Sequence, residues 1–190
     1  TAQASTSASP SAPEATPVPS TPAAPATTVT PASTQRVPGL ARGCLGGENP
    51  STAVFTAQQE APLTPEGAAE FAASYVRWIG RYPHIGDPAE QGVKLWAPDA
   101  TALVRQAGQW PAGMPETSVY ASLLKGRFKV TDFTPASAKV SIYYDVVSTK
   151  SSGTSTETQS STFVLSVVNG HWQVRDSKGV LFTPEQLETS

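Results

Sequence analysis

Cysteine is nearly absent: Cys44 is the only one in 190 residues. A single thiol excludes an internal disulfide framework and a thiolate zinc site. Histidine is scarce too, with His84 and His171 the whole supply, so imidazole chemistry has few candidates. No apolar run reaches the length of a membrane span. Charge is sparse and balanced, 13 Lys and Arg against 15 Asp and Glu for a formal net charge of -2. Binding to phosphate backbones needs clustered cations, so nucleic acid is not an expected partner. There is no initiator Met and no signal peptide ahead of Thr1. The chain is read as a mature or truncated form whose targeting segment has been removed.

Proline, by contrast, is plentiful, and it concentrates at the front. Residues 1–35 carry Glu14 as their only charge and no aromatic, Leu or Ile residue. Prolines recur there through Pro10, Pro13, Pro17, Pro19, Pro22, Pro25 and Pro31. Ordering such a segment costs about 1–2 kcal/mol per residue in backbone entropy, and little apolar surface is present to offset it. The expectation is an extended, solvated stalk over residues 1–38, suited to O-glycosylation. Stalks of this kind stand between a membrane helix and an outer domain. A cytosolic tail would carry more charge. The boundary is expected near Val37-Pro38-Gly39, with one folded domain over residues 39–190. Cys44, in Arg42-Gly43-Cys44-Leu45-Gly46-Gly47, lacks the upstream apolar run of a lipid-attachment site. It reads as a small buried thiol, with intermolecular pairing as the alternative.

Within the domain, Thr64-Pro65-Glu66 is a helix start: a capping hydroxyl, a proline at the first helical position and an acid at the positive end of the dipole. Ala68, Phe71, Ala72, Tyr75, Trp78, Ile79 and Tyr82 then form one apolar stripe, with Glu70, Arg77 and Arg81 largely off it. This predicts a principal core helix ending near Tyr82-Pro83. Shorter helices are predicted over 88–96, from Pro98 onward, and over 116–124, the last softened by Val119-Tyr120. From Gly126 the period changes to two. Strands are predicted over 127–133, 139–148, 158–168 and 171–176, and Asn169-Gly170 signals a type I′ hairpin between the last two. That turn pairs Val168 with His171, Val167 with Trp172 and Leu165 with Val174. Phe163, Leu165, Val167, Trp172 and Val174 then share a core face. Helices followed by antiparallel strands give an α+β fold, with N-terminal helices packed on a curved sheet of about four strands.

This order of elements, with the Pro-rich stalk ahead of it, resembles the cone-shaped nuclear transport factor 2-like fold. It is similar in particular to the extracytoplasmic domains of TcpC-type Gram-positive conjugative-transfer proteins and to the periplasmic assembly subunit of type IV secretion systems. The segment Leu63-Thr64-Pro65-Glu66-Gly67-Ala68-Ala69-Glu70-Phe71-Ala72, with Arg77-Trp78, looks like an actinobacterial exported-protein pattern. The likeness covers roughly residues 43–181 as topology. It implies a non-enzymatic assembly or scaffold subunit of a conjugation or secretion apparatus, located outside the membrane and anchored through an N-terminal part. Its partners would be other protein subunits of a membrane complex, or further copies of itself.

The residues offer little chemistry against this. His171 falls on the outer sheet face beside Gln173 and Arg175, and His84 in a Pro-bounded loop, where solvated or capping roles are the simpler readings. Asp176 is the best acid candidate, because the extended hairpin register puts it opposite Phe163 on the core face; the simpler reading of Asp176-Ser177-Lys178-Gly179 is a turn. Asp132 and Asp145 read as solvent-facing. His84 and Asp87 lack partners at ligand spacing, and neither Gly39 nor Gly46-Gly47 is followed by a phosphate-loop Lys-Ser/Thr. No Ser stands in a nucleophile-elbow sequence. No catalytic, cofactor-binding or metal residues are therefore assigned, and no cofactor is expected. Trp78 and Trp172 read as core, Trp96 and Trp110 as surface or pocket rim. The outer sheet face is more apolar than a solvated face requires, and Tyr143, Val147, Val164, Val168, His171 and Arg175 form the candidate protein-binding face. The alternatives are a small-ligand binder or enzyme using the cone interior, and a cell-surface domain with another partner.

Overall fold

The structure, a computed structural model, describes residues 49–111, 114 and 118–179. All of them fall in the second of the two units, residues 31–190, into which the chain divides. The predicted stalk, its boundary, Cys44 and Gly46-Gly47 lie outside the described residues. The described part is mixed α+β. Helices α1 (Pro50–Glu60), α2 (Pro65–Ile79), α3 (Pro88–Leu95) and α4 (Ala102–Arg105) precede strands β1 (Ser118–Thr134), β2 (Ser137–Lys150), β3 (Gly153–Val168) and β4 (His171–Gly179). The strands form one open antiparallel sheet in the order β1-β2-β3-β4.

Helix α2 starts as its sequence dictates. The Thr64 hydroxyl accepts from the Gly67 amide at 3.1 Å, and Pro65 opens the helix. The helix stops at Ile79 rather than Tyr82, because Tyr82 exchanges backbone hydrogen bonds with Val119 of β1 at 2.8 and 2.9 Å. Phe71, Tyr75 and Trp78 are fully buried, and the Tyr75 ring meets Phe163 of β3 edge-on at 5.5 Å. Arg77, read as off the stripe, is buried as well.

One element was not expected and three expectations are corrected. Helix α1 has no counterpart among the predicted elements. Its cap is orthodox, with Asn49 accepting from the Ser51 amide ahead of Pro50, but Ala53, Val54 and Ala57 make too slight a stripe to stand out. The expected helix over 116–124 is instead the first part of β1, where Val119, Ala121 and Leu123 alternate inward. Val119 and Tyr120 favour a strand, and pairing with Ser148 and Val147 settles the competition. The helix expected from Pro98 begins only at Ala102. The backbone before it is tied to β4 by Ala97 N donating to Val174 O and Thr101 N to Arg175 O, each at 2.9 Å. The third correction concerns β4. The Asn169-Gly170 turn, with φ of 52° and 81°, sets the expected register from Val168↔His171 to Leu165↔Val174. A bulge between Val164 and Leu165 then inserts one extra residue, and everything beyond it changes face.

Candidate functional site

That bulge removes the best acid candidate from the interior. Ser177, not Asp176, stands opposite Phe163, and Ser177 is the buried one. Asp176 is half-buried opposite Val164, where its carboxylate accepts from the Thr101 hydroxyl at 3.1 Å and from the Ser177 amide at 2.9 Å. Its role is to hold the loop before α4 against β4. The core face is filled by aromatic and aliphatic side chains: Phe71, Tyr75, Trp78 and Trp172 are all at 0% exposure. The buried polar residues among those described are Ser51, Gln58, Ser74, Arg77, Ser148, Ser161 and Ser177, with no carboxylate and no imidazole. Trp78 Nε1 donates to Gln91 Oε1 at 2.8 Å, and Trp172 Nε1 donates to the Pro62 carbonyl at 3.0 Å.

Trp96 is core, not rim. It is 6% exposed, its ring lies against Gly92, and its Nε1 donates to the Tyr75 hydroxyl at 3.1 Å. Burial pushes the Tyr75 hydroxyl far above the usual phenol range, and the Trp96 bond offsets only part of that. Burial likewise raises Tyr144, whose hydroxyl shares a 2.9 Å bond with Ser161. Both phenols are therefore neutral structural groups at physiological pH. Trp110 is half-buried and packs on Tyr82 with ring centroids 5.5 Å apart. His84 sits edge-on to Trp78 at 5.0 Å. Burial, reinforced by Arg81, holds its imidazole below the ordinary histidine range, despite the polar backbone of Ile85, Trp78 and Gly86 nearby. A neutral ring against an indole is a packing element.

The outer sheet face divides into three zones. The pairing places Tyr120, Val147 and Thr156 in one row, Ser122, Asp145 and Thr158 in the next, and Arg127, Tyr143 and Ser160 in a third. Here Tyr120, Leu124 and Tyr143 are 49%, 51% and 44% exposed, large side chains set among polar ones, with the Ser122, Asp145 and Thr158 row between the two tyrosines. The middle row, Asp132, Lys139, Val164 and Asp176, surrounds Val164 with charge. Val168 and His171 pair at the far end. Thr156 and Val168 are twelve residues apart on β3, roughly 40 Å at about 3.3 Å per residue. The six residues of the candidate face are therefore not one patch. Tyr143 and Val147 lie at the same end of the sheet, where Tyr120 pairs with Val147 and Leu124 follows on β1; taking the 116–124 segment for a helix hid these two neighbours. Arg175 pairs instead with Asp99 at 3.2 Å, both well exposed.

Val168 and His171 border a different feature, an open groove of about 290 Å³ between α1, α3 and the β3–β4 turn. Phe55 and Val168 supply apolar wall, and Gln59, Lys94, His171 and Gln173 supply polar groups. His171 Nδ1–H donates to the Gln58 carbonyl at 3.2 Å, so Nδ1 carries the proton and the ring is fixed to α1. The Gln58 amide in turn donates to the carbonyls of Lys94 and Trp172 at 2.8 and 3.2 Å. Among the described residues no three His, Cys, Asp or Glu side chains cluster to hold a metal ion, and no helix is long and apolar enough to cross a membrane. No family model, no curated protein and no solved structure matches the chain.

Proposed function

We propose that this domain is a non-enzymatic assembly subunit, acting outside the membrane in a Gram-positive conjugation or type IV secretion apparatus and presenting its outer sheet face to a protein partner. The fold would be the cone-shaped nuclear transport factor 2-like one, with the stalk setting the reach from an N-terminal anchor. The observation that carries the reading is the contrast between the two faces of the sheet. The face that would hold substrate in an enzyme of this shape is occupied by Phe71, Tyr75, Trp78 and Trp172 at 0% exposure. The opposite face leaves Tyr120, Leu124 and Tyr143 exposed, with Tyr120 paired to Val147. Exposed aromatics on one end of a sheet face favour a protein contact, since such residues dominate interface energetics.

The test is a paired substitution, Tyr120→Ser with Tyr143→Ser. Both side chains are exposed, so thermal stability should change little. Transfer of DNA by cells carrying the variant should fall at least tenfold, the loss expected when interface anchors worth about 1.4 kcal/mol or more are removed. Undiminished transfer by a stably folded variant would remove the outer face from the proposal. A second reading, a small-ligand binder, is favoured by the groove at His171, whose volume of about 290 Å³ lies at the small end of ligand pockets.

A further inference from the structure

A neutral imidazole carries one N–H donor and one lone-pair acceptor, and both call for partners when buried. His84 gives them none. Both of its ring nitrogens are shielded from solvent, and neither has a hydrogen-bond partner among the described residues. The ring stands edge-on to Trp78 with centroids 5.0 Å apart. Gly108 packs over its Nε2 edge, where a Cβ would stand 3.4 Å from that nitrogen.

The ring also sits where three helices are tied together. The carbonyl of the next residue, Ile85, accepts from the Ser51 hydroxyl of α1 at 3.1 Å and from the Gln91 amide of α3 at 2.9 Å. The same Gln91 side chain accepts from Trp78 Nε1 of α2 at 2.8 Å. Each of these bonds involves either the neighbour of His84 or the indole that its ring touches. A ring that leaves this position disturbs all three.

We propose that His84 is an acid-sensitive latch, whose protonation releases the 83–88 loop and opens the junction of α1, α2 and α3. A second N–H and a positive charge would have to be housed among groups that bond to neither nitrogen, so the charged ring is expelled rather than accommodated. The surrounding charges do not rescue it. Arg81, at the end of α2, repels it. The Asp87 carboxylate is turned to the Ala89 amide at 2.8 Å. Glu90 and Lys94 of α3 are exposed, the Arg105 guanidinium of α4 is engaged by the carbonyls of Ala100 and Pro98, and the one charge of α1, Glu60, lies at the far end from Ser51. The polar backbone of Ile85, Trp78 and Gly86 offsets only part of the burial cost, and the folded imidazole stays below its ordinary range. In the open or unfolded chain the ring takes its proton near the usual value of about 6.5. Between the two values the open form binds more protons, so the closed form is fully favoured above the usual value and loses ground as the pH falls through it. The inference is independent of the proposed apparatus and of the outer sheet face.

The test uses NMR on the full chain, where His84 and His171 are the only imidazoles and the His84→Phe variant assigns them. The His84 signal should titrate below the ordinary histidine range. From about pH 7.5 to about 5.5, hydrogen exchange at the Trp78 indole N–H and at the amides between Ile85 and Gln91, corrected for its intrinsic pH dependence, should rise by up to roughly tenfold, the factor set by one proton taken up on opening. Amides in the β2–β3 pairing should not change. His84→Phe should abolish the rise. It replaces two unbonded nitrogens by carbon, so it should be no less stable than wild type near pH 7.5. A His84 signal titrating at or above the ordinary range overturns the proposal, as does exchange that rises equally in His84→Phe. A His84→Phe protein less stable than wild type near pH 7.5 would mean that the nitrogens are bonded in solution, and would also overturn it.

Discussion

Gly67→Ala is expected to destabilise the domain by about 3 kcal/mol or more, although in an ordinary helix the same change stabilises by about 1 kcal/mol. Gly67 lies in the first turn of α2, with its amide held by Thr64. A Cβ there would stand 2.8 Å from the carbonyl carbon and the nitrogen of Pro62 and closer still to the Pro62 oxygen. These are backbone atoms, which cannot swing aside. The same oxygen accepts from Trp172 Nε1, so any relief of the collision loosens the bond between the loop before α2 and the core of β4. Urea denaturation of the two proteins decides the sign, and a Gly67→Ala variant as stable as wild type would contradict the close approach of the Pro62 backbone.

Trp172→Ala should cost about 4 kcal/mol, the range for deleting a fully buried large aromatic side chain. Against a typical domain stability of about 5–15 kcal/mol, that removes from about a quarter to most of the folding free energy. Trp172 is at 0% exposure, packs near Phe133 with ring centroids 6.4 Å apart, and satisfies the Pro62 carbonyl. Trp172→Phe keeps most of the apolar volume but strands that carbonyl, and should cost about 1–3 kcal/mol. Equal losses from the two variants would mean that the indole N–H contributes everything and the packing nothing, contrary to the burial.

The parts of this fold that were legible in sequence are those where one local signal has one structural answer. Asn169-Gly170 requires positive φ twice and so fixes the hairpin and the inward row of Leu165, Trp172 and Val174. Thr64-Pro65-Glu66 starts α2 where it says. Legibility failed where a local signal was weak or ambiguous. Residues 118–124 carry an apolar pattern that suits either period, and only pairing with β2 settles it. Helix α1 offers small side chains whose burial comes from the rest of the molecule. The bulge at Val164 and Leu165 has no glycine or turn residue to announce it, yet this single extra residue decides whether Asp176 or Ser177 faces the core. The candidate face suffered from the same cause: alternation alone assigns residues to a side of the sheet, not to a neighbourhood along it. Tyr143 and Val168 share the outer side but lie in different zones, one with Tyr120 and Leu124 and the other at the groove.

The central claim is that the outer face near Tyr143 is the working surface and the core face is closed. Its most direct test places a photoreactive phenylalanine analogue at residue 143, and in a separate strain at Gln59 on the groove, in cells producing the full chain. Irradiation should yield a protein adduct from position 143 and none from position 59. An adduct from Gln59 alone, with position 143 silent, would contradict the claim and move the function to the groove.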